Sequence, residues 1–245
     1  MLGRRIRKCP ISMASHGIRR KNFTLDWFGT LKTLSTPLIK DNFPSPSPSS
    51  PSTMAAQEHA DFNSPLPQPQ RFITTHNHQG EAIYSDALGE PVEFWAVGPK
   101  NDPAGFGFAY ATSSIPVRLS DDQDLAEMQH MNANRKLSGL VKRGGSVLRY
   151  VDYPPKSSSQ MHRTVSCDYG IVLFGEMECL LDSGETRNLS VGDVVVQRGT
   201  MHQWINRGDK WARMLYVLLD ATEVECNGKK LTEELGEMSG VAHSS

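Results

Sequence analysis

The chain has no hydrophobic run approaching the roughly 18 to 20 apolar residues that a membrane-crossing helix needs, so no spanning helix is expected. Its four cysteines (Cys9, Cys167, Cys179 and Cys226) form no CxxC pair and no disulfide-dense framework. A reducing compartment is the simpler reading, and with it a cytoplasmic protein. A strong charge of one sign is also missing, but only on average. The formal net charge is -1, yet residues 1–53 hold nine Lys/Arg against two Asp/Glu, which leaves 17 basic and 25 acidic residues beyond them. An acidic folded part repels a phosphate backbone, and no helix-turn-helix pattern is present, so nucleic acid is not expected as a partner.

What is present falls into unequal parts. At 245 residues the chain is long enough for one domain with a sizeable core plus extensions. Residues 1–41 are Arg-rich and acid-poor, the composition of a mitochondrial transit peptide, although Pro10 and Gly17 interrupt any amphipathic helix. Mitochondrial targeting therefore stands beside a disordered extension, or a leader upstream of a start at Met54. Residues 43–53, FPSPSPSSPST, read as a linker whose prolines forbid helix and remove backbone donors. Nothing before Arg71 is expected to pack, and residues 233–245 are expected to be a flexible tail.

Hydrophobic alternation begins at residue 71. Segments 71–75 and 81–85 flank a turn at Gln79-Gly80 and read as a hairpin, and 92–97 and 106–112 continue the strand character. Ser120 and Gln123 have capping-box spacing before Leu125, Met128 and Met131, so a helix is expected over 121–135. After Gly144-Gly145, SVLRYVDY alternates, and short strands follow at 168–174, 176–181, 193–198, 203–206 and 212–219, with turns at Gly175, Gly184, Gly192 and Gly208. Each such strand hides one face, so the series must close on itself or stack as two sheets. The expected fold is all-β, a jelly-roll barrel over 71–232 with one short helix.

The stretch 162–206 carries the chemistry. Its second half, Gly192-DVVVQ-Arg198-Gly199-Thr200-Met201-His202-QWI-Asn206, resembles the second motif of the cupin family, with Arg198 in the usual proline position. Its first half, His162-Arg163-Thr164-VSC-Asp168-YGIVLF-Gly175, keeps the spacing of the first cupin motif, with Thr164 for the second histidine and Asp168 for the glutamate. Together with RFITTHN (71–77), these residues are similar to cupin-domain oxidoreductases of fungal secondary-metabolite clusters.

The resemblance implies a double-stranded β-helix, a homodimer, and His162, Thr164, Asp168 and His202 facing the barrel interior. His162, Asp168 and His202 would then be a 2-His-1-carboxylate set for a divalent metal, iron first and Mn, Zn or Ni as alternatives, with no nucleotide cofactor. The function it implies is oxidative tailoring of a small aromatic or polyketide intermediate. Two other readings stay open. One is a metal-independent decarboxylase, isomerase or cyclase using His/Asp acid–base chemistry, and the other is a non-catalytic small-molecule binder. Thr164, His76, Arg198 and Trp204 are candidate substrate contacts. Arg163, beside an inward ligand on an alternating strand, is expected to point outward.

Overall fold

The computed structural model describes residues 60–245. The transit-peptide and linker readings of residues 1–53 lie outside the described residues. Among those described, no helix is long and apolar enough to cross a membrane.

The early strands are β1 (Ile73–His76) and β2 (Ala82–Ser85), paired as the expected hairpin, then β3 (Phe94–Val97) and β4 (Ala104–Thr112). The helix α1 (Gln123–Ala133) follows and buries Leu125 and Met128 against β4, where Met128 Sδ accepts from the Ala111 amide at 3.1 Å. The expected capping box does not form. Asp122 takes the N-cap position in the left-handed region, with no side-chain cap, and Ser120 opens a 3-10 turn instead. The Asp122 carboxylate accepts from the Thr75 hydroxyl, so a tertiary hydrogen bond fixes the helix start where a local one was expected.

The barrel strands are β5 (Ser146–Tyr153), β6 (Ser157–Ser158), β7 (Ser166–Phe174), β8 (Met177–Leu181), β9 (Thr186–Leu189), β10 (Val194–Arg198), β11 (His202–Asn206) and β12 (Ala212–Asp220). A last hairpin, β13 (Val224–Cys226) with β14 (Lys229–Leu231), follows. One sheet has the order β10-β7-β12-β5-β4-β3 and the other β6-β11-β8-β9. The chain thus crosses repeatedly from one sheet to the other, so β5, β7, β10 and β12 face β6, β8, β9 and β11. That is the jelly-roll expected from the strand pattern.

Alternation along each strand places the inner side chains in one cluster. Val147, Val151 and Tyr153 of β5, Met214, Tyr216 and Leu218 of β12, Met177 and Cys179 of β8 and Trp204 of β11 pack together. Turn glycines make the crossings tight. Gly175 has φ +70°, and a Cβ there would meet the Trp211 carbonyl oxygen at 2.9 Å, so the β7–β8 turn tolerates no side chain.

The folded body extends past both ends of the expected 71–232 span. Upstream, Phe62 donates to the Phe94 carbonyl at 3.1 Å, and Ala96 donates to that of Ala60 at 3.0 Å, adding a partner to edge strand β3. Ser64 donates to Asp152, and the Pro67 carbonyl accepts from Arg213 Nη1 at 2.5 Å, which completes a buried ion pair. Downstream, Arg163 and Glu234 exchange backbone hydrogen bonds of 2.7 and 2.9 Å, Leu235 is buried, and Ala242 bridges Gly139. These segments are held by backbone pairing, polar contacts and scattered apolar anchors such as Phe62 and Leu235, so no hydrophobic period marks them.

Candidate active site

A cavity of about 370 Å³ opens between the two sheets, lined by His162, Thr164, Asp168, His202 and Trp204 among others. His202 is the first residue of β11, delivered there by Gly199 (φ +61°) at the crossing from β10. His162 lies directly across an antiparallel bridge from it, and the two exchange backbone hydrogen bonds of 2.8 and 2.9 Å. Their rings stand 4.3 Å apart between centroids at an interplanar angle of 53°.

Each imidazole is oriented the same way. Nδ1 of His162 meets the Gln160 carbonyl at 2.8 Å, and Nδ1 of His202 meets that of Thr200 at 2.9 Å. A carbonyl only accepts, so Nδ1 carries the proton in both rings and Nε2 carries the lone pair. Burial holds both rings neutral. His202 is pushed down to about 3 by desolvation, with the neighbouring His162 adding to the shift. His162 is lowered by the same desolvation, partly offset by its bond to Gln160.

Asp168 stands on the other sheet, on β7, with Gln197 of β10 and Leu218 of β12 as its ladder neighbours. Thr164 donates to Asp168 Oδ2 at 3.3 Å, and Ser166 donates to Thr164 at 2.8 Å. Asp168 Oδ1 and Gln197 Nε2 are both buried without a hydrogen-bond partner. Desolvation raises the Asp168 carboxyl to about 6, against the lowering effect of Ser166 and Thr164. The site therefore combines two neutral bases with a carboxylic acid that titrates near neutral pH.

The expected three-ligand metal set is not assembled. Among the described residues, no three His, Cys, Asp or Glu side chains gather closely enough to hold a metal ion. The imidazoles stand at the β11 end of one sheet and Asp168 on the facing sheet, where it accepts from Thr164. Thr164, standing where a second histidine would be, donates to one carboxylate oxygen only and supplies no further nitrogen donor. As placed, these residues form no 2-His-1-carboxylate group among the described residues.

Other expected contacts divide. Trp204 is on the wall, 5.9 Å from His202 and nearly perpendicular to it, as the two-residue spacing implies. Arg198 is exposed and away from the cavity, because the ladder that turns Gln197 inward turns its neighbour outward. His76 is exposed at the end of β1 and does not line the cavity. Arg163 is not on the cavity wall; its side chain is largely covered and pairs with Glu234 at 2.7 Å. Residues that sequence reasoning missed are Gln197, Arg149, Tyr153 and Tyr216, all on the wall. Alternation from Val147 and Val151 would have placed Arg149 inward.

The last residue of the second motif has a different task. Asn206 Nδ2 donates to the carbonyls of Pro154 and Lys210, both at 2.9 Å, and of Tyr153 at 3.2 Å, and its Oδ1 accepts from the Gly208 amide at 3.0 Å. It ties the β11–β12 turn to the end of β5, so its contacts are structural.

The Cupin domain family model matches residues 149–218. The chain is 42% identical over 174 residues to "Oryzines biosynthesis cluster protein J" of Aspergillus oryzae, covering 71% of this chain and 94% of that protein. It is 42% identical over 167 residues to "Phomopsin biosynthesis cluster protein D" of Diaporthe leptostromiformis, covering 68% and 86%. It is 38% identical over 173 residues to "Cupin-domain-containing oxidoreductase fogC" of Aspergillus ruber, covering 69% and 81%. With the jelly-roll, the two motifs on its facing sheets and relatives matched over most of their length, the chain belongs to the cupin family.

Proposed function

We propose that this protein is an enzyme that tailors a small intermediate of fungal secondary metabolism, moving protons on it with Asp168, His162 and His202. The observation that carries this reading is the pairing of an unpartnered, buried Asp168 Oδ1 with two neutral imidazoles on the wall of one cavity. A carboxyl held near pH 6 is a base matched to neutral pH, and an imidazole with Nδ1–H committed to a carbonyl offers Nε2 to accept a hydrogen bond that holds the substrate's acidic proton in place. The cavity is sized for one small molecule, and Trp204 gives it an aromatic wall. Support for the metabolic setting comes from the relatives, two of which carry the names of biosynthesis clusters and one the name oxidoreductase.

The test uses purified full-length protein and metabolite extract from a producing strain that lacks the gene. The expected result is consumption of one accumulated compound, lost with Asp168→Asn and with His202→Ala. A product of altered oxidation level assigns oxidative tailoring, and an isomer or a loss of carbon dioxide assigns the corresponding acid–base reaction. Turnover that survives exhaustive chelation supports proton transfer by these side chains. Turnover abolished by chelation and restored by one added metal overturns it.

A further inference from the structure

Arg149 is an anomaly inside the barrel. It lies on β5 between the core residues Val147 and Val151, is 2% exposed, and borders the cavity. Buried guanidinium groups are ordinarily matched by a carboxylate, because an unpaired charge in a low-dielectric interior is costly. The barrel's other buried arginine follows that rule: Arg213 meets Asp152 through two bonds, of 2.5 and 2.7 Å. Arg149 forms no salt bridge among the described residues. Its one hydrogen bond runs from Nη2 to the Gly139 carbonyl at 2.8 Å, and its Nε is buried without a partner. The rings of Phe106 and Trp95 stand 5.1 and 6.0 Å from the guanidinium carbon and supply partial compensation.

Its position relative to the acid–base groups is informative. Arg149 is the ladder partner of Tyr216, Tyr216 packs on Trp204 at 5.5 Å, and Trp204 packs on His202. An aromatic wall thus runs from the imidazoles to the guanidinium. Resting on the proposed function of the same cavity, we infer that the substrate is a small, largely apolar molecule bearing an oxyanion, and that Arg149 binds this oxyanion while the reacting end faces His162, His202 and Asp168. A carboxylate or phenolate would supply the missing counter-charge and would accept from the guanidinium where it borders the cavity. Arg149 is then a substrate-binding residue that fixes specificity.

The experiment measures binding to the full chain, by calorimetry and by tryptophan fluorescence, of four probes: benzoate, phenol across its titration, and the neutral isosteres benzamide and benzyl alcohol. The expected result is that benzoate, or phenolate once ionised, binds about tenfold or more tightly than its neutral counterpart. Which anion shows the larger preference tells carboxylate from phenolate. Arg149→Met is expected to bind benzamide as the parent does and to lose the preference for the anion, and Arg149→Lys to retain part of it. Thermal melts of both variants without ligand show that each is folded.

Equal affinity for anion and isostere in the parent overturns the inference, as does a preference that survives Arg149→Met or a parent that binds none of the four probes at millimolar concentration. The anion preference needs no turnover and should persist in Asp168→Asn. Loss of the proton-transfer reading therefore leaves this measurement standing, and failure here leaves that reading to its own test.

Discussion

Imidazole rings 162 and 202 stand 4.3 Å apart because His162 and His202 face each other across a single antiparallel bridge. At that separation the two rings cannot both take a proton cheaply, and a proton on either would further disfavour one on the other. Both protons at Nδ1 are already spent on backbone carbonyls. The pair is therefore a fixed source of lone pairs, set by strand register and by main-chain acceptors that no side-chain substitution nearby removes.

This arrangement makes stability depend on pH in two opposed ways. His202 has a folded pKa of about 3, below the ordinary 6.5, so the contribution of its neutral ring is fully present above about pH 6.5 and is lost as pH falls toward 3. Asp168 has a folded pKa of about 6, above the ordinary 3.8, so the penalty for ionising it is absent below about pH 4 and complete above 6. Its size is on the order of 3 kcal/mol. Denaturant unfolding at pH 4.5 and 7.5 is expected to show Asp168→Asn more stable than the parent at the higher pH and closer to it at the lower. His202→Gln is expected to lose less stability on acidification than the parent. An Asp168→Asn variant equally destabilised at both values refutes the assignment.

Activity should follow the same carboxyl. A general base must be ionised, so kcat/KM for the accumulated intermediate is expected to rise with pH through about 6 and then level off. Asp168→Asn is expected to cost about 10²- to 10⁴-fold and to remove that limb of the profile. A variant that keeps the limb shows that another group titrates.

Asn206 yields a stability prediction that separates motif from mechanism. Its amide serves carbonyls at the ends of two strands, and its oxygen holds the Gly208 amide, all in a buried position. Asn206→Ala is expected to cost about 2–4 kcal/mol in denaturant unfolding, since several buried backbone groups lose partners together. Asn206→Asp, which cannot donate, should cost a similar amount. Anion binding in the cavity should persist wherever the variant remains folded. A cost below about 0.5 kcal/mol would show that the turn is held by other contacts.

Much of the barrel was legible in the sequence because its strands alternate and its turns fall on glycine. SVLRYVDY is β5 residue for residue, and the β1–β2 hairpin follows its turn signal. Strand β9, TRNL, escaped notice because three of its four residues are exposed and polar, which leaves no period to detect. His162, His202 and Trp204 were legible from motif spacing and two-residue periodicity. That Asp168 and the imidazoles stand on facing sheets was not, because sequence spacing does not reveal which sheet a strand joins. Arg149 was missed for a chemical reason: a basic residue on an alternating strand is ordinarily read as facing solvent, and only the burial of its neighbours places it inside. Residues 60–70 carry no apolar period at all, and their attachment is written in backbone pairing, in the single Phe62 ring and in one ion pair.

That ion pair gives the last prediction. Arg213 and Asp152 are 2% and 0% exposed and joined by two hydrogen bonds, with Ser64 and the Pro67 carbonyl closing the remaining valences and the Phe94 ring 5.2 Å from the guanidinium. Removing one partner strands the other charge in the interior, so Arg213→Met is expected to cost about 3–5 kcal/mol. The paired replacement Arg213→Met with Asp152→Leu strands no charge and is expected to recover much of that loss. Ser64 and the Pro67 carbonyl both lose a partner in the single variant, so it should also become more sensitive to limited proteolysis between residues 60 and 70, well below its unfolding midpoint. If the double replacement costs the sum of the two single ones, the pair contributes no coupling, and the segment is held by its other contacts, such as the Phe62 ring on Trp211 and the β3 edge bonds.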